Sequence, residues 1–455
     1  MKREILEQAL NEISDRHIAE AAGKKKRMPV SWIGSVAAAL AVVILCISIL
    51  RPISNVKAIS EAEYPEYQWE YRSEEMKQEL PKLTNFFTQS IAQTLSDSDE
   101  NQAYSPINLY MALCLMAETC NSNEQILALL NADSKESMRE QANLIWNATY
   151  NDQGDKTLLA NSVWLDEGLN YNKHVMDTLA SSYYASVYEA DLQSLETANA
   201  VKNWLNGQTH DLLDSDVRQL YTDDQAVLQL YSTVYYQAKW PKWEDFDKGM
   251  NTEGKFHTPY GDVDCTYMNK KELQTAYFWG EDFGAINLGL NDGSRLWLLL
   301  PDTGKTTDDI LASPELASLV FHISTYEYEY ENSKYMKVNL SLPKFDIHAS
   351  GDLKESLQAM GITDIFSPAT ADLSGTLYGY TGFGDFSPYI SAVNQATRVA
   401  VDEDGVTAAS YIQEPTYGAP IPPDEIIDFV LDRPFVFVIT NRYALPLFAG
   451  VVNEP

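Results

Sequence analysis

Several stretches hold residue types that could do chemistry at a workable spacing. Gly304-Lys305-Thr306 lies between an apolar run, Arg295–Leu300, and a helical run, Asp308–Leu311. A lysine and a hydroxyl after a glycine turn would suit a phosphate loop. That loop needs a second glycine five positions before Gly304, where Leu299 stands, so the backbone could not cradle phosphates. Ser341-Leu342-Pro343-Lys344 has the Ser-x-x-Lys spacing of an acyl-transfer nucleophile. Such a serine belongs at a helix start, whereas Ser341 falls late in a strand. The six histidines are scattered and form no zinc pair. Cys114 and Cys120 share one expected helix, and with Cys265 and Cys46 they give neither a disulfide framework nor metal spacing. They read as small buried hydrophobes. Gly379, Gly382 and Gly384 read as loop glycines. No catalytic set, metal or cofactor is implied.

A further stretch promises mechanics rather than catalysis. In Glu403-Asp404-Gly405-Val406-Thr407-Ala408-Ala409-Ser410, Val406, Ala408, Ser410 and Ile412 share one face at period two. Thr407, Ala409, Tyr411 and Gln413 share the other. This is the alternation of a strand with one buried face. It runs into Glu414-Pro415-Thr416-Tyr417-Gly418-Ala419-Pro420-Ile421-Pro422-Pro423, which cannot continue a central strand. A segment fit to enter a sheet but tethered to an extended loop is a candidate switch; an ordinary surface strand and loop is the bland alternative.

The elements that must position this segment read as an α+β domain, helices dominating the first half and strands the second. Ser105-Pro106 is a helix start, a capping hydroxyl followed by proline at the first helical position. The helix behind it, Ile107–Ala117, is apolar nearly all round and so predicted to be buried. Ala226–Tyr236, Arg295–Leu300 and Phe435–Thr440 read as strands. Met336, Val338, Leu340 and Leu342 alternate with polar residues until Pro343 interrupts them. The 45% apolar and 11% aromatic content is ample for a large core. A net charge of -32 excludes nucleic acid as partner, since phosphates would be repelled.

Residues 31–50 carry no charge. At about 1.5 Å per residue, twenty residues span roughly 30 Å, the hydrocarbon thickness of a bilayer. Lys24-Lys25-Lys26-Arg27 precede them, which by the positive-inside rule keeps residues 1–30 cytoplasmic and sends the rest outward. The expected organisation is a cytoplasmic tail (1–30), a transmembrane helix (31–50), an extracytoplasmic stalk (51–80) and a globular domain (81–455). Leu6, Leu10 and Ile13 give the tail a short amphipathic helix. A cleaved signal ending near Val56-Lys57-Ala58, releasing a secreted domain, is the alternative to a single-pass anchor.

Several motifs in order along about 375 residues resemble those of the serpins, a family of protease inhibitors. Asn101-Gln102-Ala103-Tyr104-Ser105-Pro106 is similar to the family's Asn-x-x-x-Ser-Pro, and Tyr235-Tyr236-Gln237-Ala238-Lys239-Trp240 to its tyrosine-to-tryptophan strand. Leu342-Pro343-Lys344-Phe345, Ala371-Asp372-Leu373-Ser374-Gly375, Arg433-Pro434-Phe435, Phe448-Ala449-Gly450 and Asn453-Glu454-Pro455 complete the pattern. The resemblance implies three β-sheets, eight or nine helices and an exposed reactive-centre loop. Its hinge would be Glu403, Gly405, Val406, Thr407, Ala408, Ala409 and Ser410. Trp240 matches the breach where the loop first enters the main sheet. Ser105, Asn108, Ser232 and Gln395 occupy the buried shutter, where Gln395 and Ser232 replace the usual histidine and asparagine.

The implied mechanism is suicide inhibition. A serine protease cleaves the loop and is acylated, and the loop inserts as a new strand before deacylation. Family spacing puts the scissile bond after Ala419, but Pro420 follows it; cleavage at Thr416, Tyr417 or Gly418 is the alternative. Between Arg398 and Arg433 there is no Lys or Arg, which disfavours trypsin-like targets and leaves elastase-like or chymotrypsin-like ones. Tyr411, Ile412, Glu414 and Pro415 depart from the family's run of small residues. The expectation is a monomeric, membrane-tethered, bacterial inhibitor that traps its protease covalently and needs no cofactor. A non-inhibitory serpin serving as a binding module is the alternative, and an enzyme is the weaker third reading.

Overall fold

The computed structural model describes residues 56–62, 64–66, 73–211, 227–242, 245–322, 330–378, 388–406 and 424–455. The tail and apolar run expected over 1–50 lie outside the described residues. Among the described residues no helix is long and apolar enough to cross a membrane.

Nine α-helices occur among the described residues: α1 (Ser73–Leu95), α2 (Pro106–Thr119), α3 (Glu124–Leu129), α4 (Lys135–Thr149), α5 (Lys173–Tyr183), α6 (Leu195–Thr209), α7 (Thr307–Ala312), α8 (Pro314–Val320) and α9 (Lys354–Ala359). Helix α2 starts as its sequence dictates. Ser105 Oγ accepts the Asn108 amide at 3.3 Å, Pro106 takes the first helical position, and the helix is buried almost all round.

Two strand groups frame the candidate switch. One has the order β1 (Lys57–Ser60), β5 (Ala185–Ala190), β3 (Lys156–Asp166), β6 (Leu228–Gln237). The other has the order β12 (Phe345–Asp352), β14 (Asn394–Asp402), β15 (Gly405–Val406). Among the described residues no ladder joins β6 directly to β14. They meet through β15, which pairs with β14 and forms a bridge to Ala238 at the end of β6. A larger sheet runs β16 (Ile426–Val430), β11 (Ser333–Pro343), β8 (Gly261–Trp279), β9 (Phe283–Gly289), β10 (Arg295–Pro301), β17 (Phe435–Thr440), β18 (Pro446–Val452), β2 (Gln102–Tyr104), with β7 (Thr252–Thr258) on β8. A short ladder pairs β13 (Leu377–Tyr378) with β4 (Asn170–Tyr171). The alternation over Met336–Leu342 is borne out, since all four apolar residues are buried.

The main core packs α1 and α2 against these sheets. A second cluster, Trp164, Leu192, Val201 and Leu205, lies beneath α6, with Tyr231 of β6 and Ala396 of β14 packed on it. One helix therefore covers both strand groups.

The stalk and domain boundary expected at 51–80 and Pro81 need correction. Pro81 lies inside α1, which begins eight residues earlier at Ser73. Met76, Leu80 and Leu83 recur at helical spacing and are buried, so core packing extends the helix across the proline. Upstream, Lys57–Ser60 is not a stalk but an edge strand on β5, with Lys57 Nζ 2.9 Å from Glu189 Oε2. The Ala62 amide donates to Ser186 Oγ at 3.3 Å, and Tyr64 stacks on Trp146 and Tyr150.

Candidate functional site: the hinge, breach and shutter

Gly405 and Val406 are the last described residues before 407–423, and two strands hold them. Val406 N donates to Ala238 O at 2.9 Å and Ala238 N to Val406 O at 2.8 Å, while Val401 of β14 lies opposite on the other side. Val406 is 3% exposed, on the face read as inward. Gly405 has φ +131°, and a Cβ there would sit 2.4 Å from Ala238 O and 2.8 Å from Lys239 Cα. Only glycine fits that approach.

The residues before the turn anchor it. Glu403 is buried, and its carboxylate meets Lys344 Nζ at 2.5 Å and the Asn251 side-chain amide. Burial works against its charge, but hydrogen bonds from Lys344 and Asn251 prevail and hold the carboxyl below the usual glutamate range. Asp404 pairs on the surface with Lys248 at 3.0 Å. Trp240 Nε1 donates to Asp402 O at 2.8 Å, and its ring meets Phe246 edge-on. The indole thus ties the end of β6 to the end of β14.

Deeper in the sheet, Gln395 Oε1 accepts the Ser105 amide at 2.8 Å, and Gln395 Nε2 donates to Ser105 O at 3.2 Å. Asn108 Nδ2 donates to Ser232 O at 2.9 Å. The four residues read as a shutter are therefore brought together by the start of α2. They pair through main-chain groups, and each half of the divided sheet is gripped separately. Asn108 Oδ1 remains buried without a partner.

Thr407, Ala408, Ala409 and Ser410 of the hinge, and Thr416, Tyr417, Gly418, Ala419 and Pro420 of the scissile region, lie outside the described residues. The rejected chemical motifs have other employment. Lys305 pairs with Asp282, and Ser341 Oγ donates to Asn269 Oδ1 at 2.7 Å. Cys114, Cys120 and Cys265 are free and buried. The roles of Lys344, Asn251, Lys248 and Asp402 were not read from the sequence. Lys344 gave a signal, a cation directly after a buried strand; the others gave none.

A family model described as Serpin (serine protease inhibitor) matches residues 82–455. Among curated relatives, Serpin-Z2B of Oryza sativa subsp. japonica is 25% identical over 406 residues, 81% of this chain and 96% of that protein. The leukocyte elastase inhibitor of Homo sapiens is 25% identical over 358 residues, 77% of this chain and 91% of that protein. Of solved structures, the thermophilic serpin tengpin in its native state gives a TM-score of 0.70 at 23% identity, covering 87% of this chain and 96% of tengpin. Thyroxine-binding globulin complexed with thyroxine gives 0.65 at 18% identity, covering 82% and 99%. At those identities the structural likeness speaks for the fold alone. The family match takes in most of the sequence from α1 onward, and this chain belongs to the serpin family of protease inhibitors.

Proposed function

We propose that this serpin is a suicide inhibitor of serine proteases of the elastase-like or chymotrypsin-like class, held at the outer face of a bacterial membrane by residues 31–50. The observation that carries the inhibitory reading is the double pairing of Val406, which starts a strand between β6 and β14. Extending it through residues 407–413 would add main-chain bonds at a net ~1 kcal/mol each, on the order of 10 kcal/mol over about eight to ten residues. Cleavage of the loop releases the far end, and the acylated protease is carried along before water can free it. The inward residues Ala408 and Ser410 are small enough to follow Val406. The absence of Lys and Arg between Arg398 and Arg433 argues for the target class, as does the name of the leukocyte elastase inhibitor relative. The basic cluster at Lys24–Arg27 and the uncharged run behind it support the anchor; release by signal cleavage is the alternative.

Glu414 on the inward face, with Pro415 lacking an amide hydrogen, favours the second reading, a non-inhibitory serpin that binds without trapping. Incubation with elastase and with chymotrypsin separates the two. An inhibitor gives a denaturant-resistant covalent complex, and Val406→Arg converts it into a substrate. Clipping by both enzymes without a complex, and without a gain in heat resistance, overturns the inhibitory reading.

A further inference from the structure

A buried pair of carboxylates lies one peptide away from the hinge bond. Asp155, in the turn before β3, is 3% exposed, and its Oδ1 has no hydrogen-bond partner. Asp292, in the turn between β9 and β10, is also buried and accepts from Ser294 N at 3.0 Å and Ser294 Oγ at 2.8 Å. Tyr236 Oη of β6 is 3.4 Å from Asp292 Oδ1.

Between the acids and the hinge runs the end of β6. The Lys239 amide donates to the Asp155 carboxylate, and Lys239 O accepts from Asn291 N at 3.0 Å. The preceding residue, Ala238, exchanges both main-chain bonds with Val406. Whatever moves Lys239 therefore moves the peptide that receives the hinge.

The charged and titratable groups around the pair come from three sides. Lys239 adds a favourable positive charge beside Asp155, Arg442 from the β17–β18 turn does the same for Asp292, and the Tyr236 phenol is held neutral by burial. Burial and the repulsion of Asp292 push the Asp155 carboxyl up to about 7, and burial likewise raises Asp292. Two buried acids this close cannot both ionise cheaply.

We propose that Asp155 and Asp292 form a proton-operated pin on the end of β6: protonated, the pair holds Lys239 and Ala238 in register with Val406; ionised, its repulsion loosens that register and releases the hinge. A carboxyl whose folded value is raised keeps its proton in the fold while the unfolded chain has lost it. Its stabilising share therefore declines as pH rises from the ordinary aspartate range toward neutrality.

The idea rests on the hinge assignment, not on protease trapping, so its readouts use uncleaved protein alone. The first is amide hydrogen exchange at Ala238 and Val406, corrected for intrinsic rates, between about pH 6 and about pH 8. Exchange should rise about tenfold in the wild type, the factor one pKa unit represents. In Asp155→Asn, which is neutral at every pH, it should stay at the low-pH level. Asp292→Asn removes the repulsion and should move the transition to lower pH. Superposable exchange profiles for wild type and Asp155→Asn, or an Asp292→Asn profile unchanged from wild type, would overturn the proposal. If Asp155→Asn does not fold, Asp292→Asn alone decides.

Discussion

Gly405 carries the tightest constraint of any residue at the hinge. Its positive φ and its approach to Ala238 O leave no room for a Cβ. Gly405→Ala is expected to cost about 1–3 kcal/mol and to break the Ala238–Val406 bond, which hydrogen exchange at those amides would reveal. Glu403 has the opposite character, a charge kept buried because Lys344 and Asn251 satisfy it. Lys344→Met leaves that carboxylate short of its cation. A fully buried pair would lose about 3–5 kcal/mol; Lys344 is 36% exposed, so solvent screening brings the expectation to about 2–3 kcal/mol in chemical denaturation. The folded carboxyl is held below its usual value, so its share of stability is present above the ordinary glutamate range and lost as the pH falls. In Lys344→Met that acid-side loss should shrink.

At the scale of elements, α2 acts as a clip with two prongs. Ser105 is bonded to Gln395 on β14, and Asn108 to Ser232 on β6, so one helix start holds strands that no described ladder joins. Asn108→Ala should release one prong only, costing about 1–3 kcal/mol and lowering the thermal midpoint of uncleaved protein more than that of cleaved protein. Strand β1 covers the open edge of β5, a position that otherwise invites pairing with another chain. Tyr64→Ala removes the stacking on Trp146 and Tyr150, expected to cost about 0.5–1.5 kcal/mol by double-mutant analysis with Trp146. Deleting residues through Tyr64 should expose β5 and promote self-association, measurable by light scattering.

Over the whole molecule, the net charge of -32 sets how partners arrive. A cationic protease should associate faster at low salt, with a rate that falls steeply as ionic strength rises, because the attraction acts over about 10 Å at ~0.1 M salt. A neutral target should show little such dependence. Stopped-flow association across a salt series distinguishes them.

Local chemistry made much of this chain readable. The Ser105-Pro106 helix start, the buried helix behind it, the alternation over Met336–Leu342 and the small residues around Val406 follow from capping, periodicity and volume, which act between near neighbours in sequence. Tertiary structure decided the rest. Gln395 meets a helix cap, Lys344 meets Glu403, Asp155 lies beside Asp292, and Lys57–Ser60 becomes a strand through contacts between distant segments. Such pairings depend on which backbone groups the closed fold leaves facing one another, and composition and spacing carry no record of that.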